Sequence, residues 1–210
     1  MWLKSIVTGE LKVNCYLLGC TETRLAAVID PGGQAERILE ILGENDFTLK
    51  MVINTHGHFD HVGGNRALVD ATGAELLIHR GDADILKNAA QHAAMFGCRA
   101  TEPSPEPSRF LEDGEEVRLG TLRMKVIHVP GHSPGGICVL TDGCLFAGDC
   151  LFAGSIGRTD LPSGDQYALM KGLRERVMTL PDETIVYPGH GPETTIGQER
   201  RNNPFLRTIV

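Results

Sequence analysis

Thr55-His56-Gly57-His58-Phe59-Asp60-His61 places three imidazoles and one carboxylate within six residues, directly after the apolar run Met51-Val52-Ile53. A strand followed by a tight turn would aim these four side chains at one rim. Imidazole nitrogen and carboxylate oxygen are the ligand types of a catalytic zinc, iron or manganese centre. Three further apolar runs end in the same way. Val126-Ile127-His128-Val129-Pro130-Gly131-His132 ends in a histidine, Leu145-Phe146-Ala147-Gly148-Asp149 in an aspartate, and Ile185-Val186-Tyr187-Pro188-Gly189-His190 in a histidine. In each, a strand delivers one polar group through a glycine-bearing turn, so elements far apart in sequence can meet at one site.

The candidate ligands are therefore His56, His58, Asp60, His61, His132, Asp149 and His190. Seven donors exceed the needs of one tetrahedral ion and suit two, with the Asp149 carboxylate placed to bridge them. His79, His92 and His128 lack this context and read as structural or exposed. Asp30, which ends a strand before Pro31-Gly32, reads as a group that holds a turn or a ligand.

The chain has 210 residues, enough for one large domain or two small ones. The net charge of −7 and the pI near 5.6 argue against nucleic acid as the main partner. No apolar stretch is long enough to span a bilayer, and residues 1–5 do not begin a charged leader followed by an apolar core. The six cysteines form no C-x-x-C pair and read as small buried hydrophobes in a reducing compartment, with Cys150 beside a candidate ligand. A cytoplasmic location is expected.

Strands are expected at 13–18, 26–29, 51–54, 75–78, 115–119, 122–129, 137–141, 144–148 and 184–187. Helices are expected at 34–42, 61–72, 81–96 and 165–178. Thr195-Ile196-Gly197-Gln198 has capping-box spacing and predicts a short last helix. The proline-rich stretch 101–108 can be neither helix nor central strand. Because ligand-like motifs lie on both sides of it, it reads as a surface loop within one domain spanning 1–210. Two sheets packed face to face with helices outside fit this order.

The H-x-H-x-D-H cluster followed by His132, Asp149 and His190 resembles the metallo-β-lactamase fold superfamily over nearly the whole chain. The resemblance implies an α/β (α+β) fold, a four-layer αββα sandwich of two mixed sheets flanked by helices, with the site at one sheet edge. It implies that His56, His58 and His132 hold one metal, that Asp60, His61 and His190 hold a second, and that Asp149 lies between them. Zinc is the expected ion, with iron and manganese as the alternatives.

Asn14-Cys15-Tyr16, Gly157-Arg158-Thr159-Asp160-Leu161-Pro162 and Tyr187-Pro188-Gly189-His190-Gly191-Pro192 resemble the glyoxalase II-like hydrolases of short bacterial type. The implied activity is hydrolysis of S-D-lactoylglutathione or a related acyl thioester by a hydroxide shared between two metals, with Asp60 orienting the nucleophile and carrying a proton. A thiolate leaves with little acid help, since its pKa lies well below that of an alcohol. The longer enzymes carry a substrate-binding lysine where Arg158 stands, and a guanidinium there could clamp a carboxylate. Arg158 could equally form a structural ion pair with Asp160. The tyrosine of the longer enzymes is Asp160 here, and their C-terminal helical domain has no counterpart in these residues. The implied partner is a small-molecule thioester, with no nucleic acid and no membrane; the oligomeric state is left open. Persulfide dioxygenases share the fold and the Gly-Arg-Thr-Asp stretch, and they use one iron on the positions of His56, His132 and Asp149. That is the alternative reading.

Overall fold

A computed structural model describes residues 1–98 and 102–206; Thr101, the first residue of the proline-rich stretch, lies outside the described residues. Six strands form a first sheet in sequential order: β1 (Trp2–Thr8), β2 (Val13–Cys20), β3 (Leu25–Ile29), β4 (Thr48–Ile53), β5 (Glu75–His79) and β6 (Arg109–Leu111). The first three run antiparallel, and β3 to β6 run parallel. The parallel crossovers carry α1 (Ala35–Glu44), α2 (Phe59–Val62), α3 (Asn65–Thr72), α4 (Ala83–Lys87) and α5 (Ala89–Met95).

The second sheet contains β7 (Glu116–Leu119), β8 (Leu122–His128), β9 (Ile137–Thr141) and β10 (Cys144–Gly148) as an antiparallel meander. A small hairpin, β11 (Leu151–Phe152) and β12 (Ser155–Ile156), and the helix α6 (Gln166–Gly172) come next. The chain then returns to add β13 (Ile185–Pro188) parallel to β10, with β14 (Thr194–Thr195) at the edge and α7 (Ile196–Asn202) after it.

The core follows the strand period of two. Tyr16 and Leu18 of β2 point between the sheets with Ile29, Ile53, Met124, Val126, Val139 and Phe146. Their neighbours Cys15 and Leu17 point outward with Val28, Val52 and Leu76, under Ile38 and Leu42 of α1 and Leu68 of α3. On the far side, Leu145 and Val186 meet Leu169 of α6 and Ile196 of α7. Both faces of each sheet are thus covered, which is why the central strands read as continuous apolar runs. The result is the expected αββα order of layers.

Several elements differ from expectation. The helix expected over 61–72 breaks at Gly63-Gly64, where the Gly64 N–H donates to the Pro31 carbonyl at 2.7 Å. The one expected over 81–96 is a 3-10 turn at Arg80–Asp82 followed by α4 and α5, which meet at Asn88. The helix after residue 165 changes at Leu173–Val177 to a π-helix. β1, β6 and the short strands β11, β12 and β14 were not predicted. Half of the capping box forms: Thr195 Oγ1 accepts the Gln198 N–H at 3.2 Å, while the Gln198 side-chain oxygen accepts from Asn202. The proline-rich stretch is irregular over 102–107 and leads into β6, hydrogen-bonded to β5, so it stays within the first sheet.

Candidate metal centre

Four strand ends deliver the seven residues to one rim. β4 leads through Asn54-Thr55 to His56, β8 through Val129-Pro130-Gly131 to His132, β10 directly to Asp149, and β13 through Gly189 to His190. The parallel pairing of β10 with β13 sets Gly148 opposite Pro188, so Asp149 and His190 emerge side by side. The Thr55 carbonyl accepts the Ile137 N–H at 2.9 Å, which ties the two sheets together beside the site.

The side chains form two clusters. Donor atoms of His56, His58 and His132 lie within 4.8 Å of one another, and so do those of Asp60, His61 and His190. These are the two triads expected from the sequence. Asp149 lies between them. Its Oδ1 is 3.4 Å from His61 Nε2, and its Oδ2 is 3.7 Å from both His132 Nε2 and His190 Nε2. Asp30, His56 and His61 make a third such grouping, but the Asp30 oxygens are already committed. They accept the Thr55 N–H at 2.7 Å, the Thr55 hydroxyl at 2.5 Å and His61 Nδ1 at 3.0 Å. Asp30 therefore holds Thr55 and the His61 ring in place. It is buried and holds a left-handed φ of 50°, a strained geometry for a residue with a side chain.

Two more imidazole nitrogens are held from behind, whereas His58 Nδ1 meets His132 Nε2 at 2.9 Å. His132 Nδ1 donates to the Arg158 carbonyl at 2.9 Å, and His56 Nδ1 meets the Thr55 hydroxyl at 3.1 Å. Asp82 was not anticipated. Its buried carboxylate accepts the Gly57 N–H at 2.8 Å and the Gly135 N–H at 2.5 Å, fixing the loop between His56 and His58 to the loop after His132. Nothing in Arg80-Gly81-Asp82 signals this, because the partners lie 25 and 53 residues away. Arg158 turns its guanidinium to Asp160 in a bidentate pair at 2.7 and 2.8 Å, which is the ion-pair alternative. Among the other histidines, His79 and His128 stack on each other with centroids 4.1 Å apart, and neither joins the centre.

The residues fit divalent cations on two physical grounds. His56 Nε2 is buried without a hydrogen-bond partner, and His61 Nε2 and Asp149 Oδ1, also buried, form no well-aligned bond and face each other at 3.4 Å. Orphaned polar atoms of this kind are costly unless something else satisfies them. The charge state of the ligands also suits a cation. Burial and the neighbouring imidazoles push His56 well below its ordinary pKa and His58 down to about 4, leaving neutral lone pairs. In the second cluster, burial opposes charge but loses to opposite charges close by. Asp60 is held below the ordinary carboxylate range mainly by His61 and His190. His61 is pushed up by Asp60, Asp149 and Asp30. Three carboxylates around one imidazole make a field that favours positive charge, the field a bound cation would complete. Gly189 keeps the space open: a Cβ there would lie 2.1 Å from Asp149 Oδ1 and 2.7 Å from His61 Cε1.

The fold and the site define an αββα protein with a histidine–carboxylate centre, of the metallo-hydrolase class. A model of the metallo-β-lactamase superfamily matches residues 8–190, and the chain belongs to that superfamily. It is 39% identical over 211 residues to a protein of Haemophilus influenzae named hydroxyacylglutathione hydrolase GloC, covering 99% of both chains. Among solved structures it is similar to BLEG-1 B3 metallo-β-lactamase (TM-score 0.92, 35% identity, 98% of this chain and 100% of that one). TTHA1623 in a di-iron-bound form is similar at a TM-score of 0.89 and 39% identity, over 97% and 100% of the two chains. ETHE1 from Myxococcus xanthus follows at 0.80 and 34%, over 97% and 84%. Among the described residues no helix is long and apolar enough to cross a membrane.

Proposed function

We propose that the protein is a binuclear metal-dependent thioesterase that cleaves S-D-lactoylglutathione or a related acyl thioester. The observation that carries this reading is the Asp149 carboxylate, which turns one oxygen toward His61 and the other toward His132 and His190, between two complete ligand triads. The relative named hydroxyacylglutathione hydrolase, similar from end to end, supports the thioester as substrate. When bound, two divalent cations supply Lewis acidity and ionise solvent near neutral pH.

The chain's own groups do the rest. His56, His58 and His132 offer neutral nitrogens to the first ion, and Asp60, His61 and His190 serve the second. Zinc is the ion we assign, and it suits imidazole and carboxylate donors alike. Asp60 Oδ2, 3.2 Å from His190 Nε2, is the atom we assign to orient the nucleophile and hold its proton. The leaving thiolate needs no dedicated acid. Arg158 would have to release Asp160 before it could bind a substrate carboxylate.

A second reading is a mononuclear-iron persulfide dioxygenase, for which an iron-bound relative supports the metal but not the single-ion centre. Iron on His56, His132 and Asp149 would favour oxygen chemistry on a persulfide, since such a facial triad leaves positions open. One experiment separates the two. The protein loaded with zinc or with iron is given S-D-lactoylglutathione and, separately, glutathione persulfide, while thiol release and oxygen consumption are followed. Thiol release without oxygen uptake is the expected result. Oxygen uptake with persulfide and no thioester turnover would overturn the proposal.

A further inference from the structure

His190 has little support from its own strand end. It follows β13 in a turn with glycines on both sides, Gly191 at a φ of +76°. Its ring is 30% exposed, and its nearest acidic partner is Asp60, itself a site residue. Such a turn has much conformational freedom to lose when it orders. What orders it comes from the other sheet. At the start of β2, the Asn14 backbone N–H donates to the Gly189 carbonyl at 2.7 Å. The Asn14 side-chain amide donates to the Pro188 carbonyl at 3.0 Å and to the Gly191 carbonyl at 2.8 Å. Two residues on, the Tyr16 hydroxyl donates to the same Pro188 carbonyl at 2.6 Å.

We propose that Asn14 is the positioning residue of His190, a three-donor clamp that fixes the turn and so completes the Asp60–His61–His190 triad. The chemistry selects asparagine. A short neutral amide has two N–H groups to give, and both are used here. Aspartate has the same shape but would turn acceptors toward acceptors. Leucine or alanine would leave the Pro188 and Gly191 carbonyls with less. Asn14 belongs to the Asn14-Cys15-Tyr16 stretch noted in the sequence, and the clamp gives that stretch a physical task. Asn14 does not contact the donor atoms of either triad, so its effect passes through the turn alone. The inference rests on the two-ion reading above.

The test is metal binding, read without turnover. Apo protein is titrated with Zn²⁺ in competition with a chromophoric chelator, for the wild type, Asn14→Ala, Asn14→Asp, Tyr16→Phe, His190→Ala and the Asn14→Ala/His190→Ala pair. Circular dichroism confirms the fold of each. Loss of an outer partner of this kind lowers metal affinity roughly ten- to a hundredfold. That loss is expected at one of the two sites in Asn14→Ala, and at least as large in Asn14→Asp. Tyr16→Phe should cost less, since Pro188 keeps the Asn14 amide, and it tests the clamp if the Asn14 variants do not fold. In the His190→Ala background Asn14→Ala should add nothing, because the residue it positions is gone. Equal weakening of both sites, an undiminished Asn14 effect without His190, or wild-type binding by Asn14→Ala would each overturn the clamp. Two ions in the wild type with Asn14 indifferent refutes the clamp alone. A single ion in the wild type refutes the two-ion reading and the clamp with it.

Discussion

Gly189→Ala adds one methyl group at the centre of the site. Its Cβ would stand 2.1 Å from Asp149 Oδ1 and 2.7 Å from His61 Cε1, whereas ordinary contact begins near 3.4 Å. The carboxylate or the turn must therefore give way by more than 1 Å. A misplacement of about 1 Å at reacting groups costs on the order of 10²-fold in rate, or about 2.7 kcal/mol of transition-state stabilisation. The effect on folding is smaller: overpacking costs typically about 1–3 kcal/mol, and part of it is relieved where the site is half open. The assay is kcat/KM on an acyl thioester, beside bound metal per chain and the thermal midpoint. The expected variant is folded, short of metal and about a hundredfold slower. Full metal content with activity within twofold of wild type would show that the space between Asp149 and His61 is not the site.

Three further predictions follow from the same geometry. Asp149→Ala should strip metal from both triads, since this carboxylate faces each of them; full metal content by elemental analysis would refute the bridging role. Arg158→Ala should change kcat/KM by no more than about twofold, because the residue reaches His132 through its carbonyl and its guanidinium is paired to Asp160; a large rise in KM confined to carboxylate-bearing thioesters would reassign it as a substrate clamp. Asp113 accepts two hydrogen bonds from Arg176 and one from the His128 N–H, and this holds it below the ordinary carboxylate range. A lowered folded pKa gives stability that is present above the unfolded value of about 3.9 and lost as pH falls through the folded one. The thermal midpoint of wild type should therefore exceed that of Asp113→Asn at pH 7, with the gap closing below about pH 4; a gap independent of pH would contradict this.

The seven site residues were legible because four of them, His56, His132, Asp149 and His190, follow the ends of apolar runs, and His58, Asp60 and His61 crowd into the five residues after the first. The buried strands were legible in their central parts: Cys15–Leu18 of β2 and Met51–Ile53 of β4 are covered on both faces and read as unbroken apolar stretches. β1 was not, because Lys4 and Ser5 are exposed on an edge strand and break the pattern. The expected long helices failed where tertiary contacts override local period, as at Gly64 against Pro31. The supports behind the ligands were the least visible. Asp82 and the Arg158 carbonyl act on partners remote in sequence, and a backbone carbonyl carries no residue signature at all.

The central claim is that two cations sit between these six triad residues, with Asp149 shared. Anomalous difference maps from crystals grown with zinc, recorded above and below the zinc edge, address it directly. The account predicts two peaks, one among His56, His58 and His132 and one among Asp60, His61 and His190, with Asp149 touching both. A blank centre flanked by these same side chains, or peaks bound elsewhere on the molecule, would contradict it.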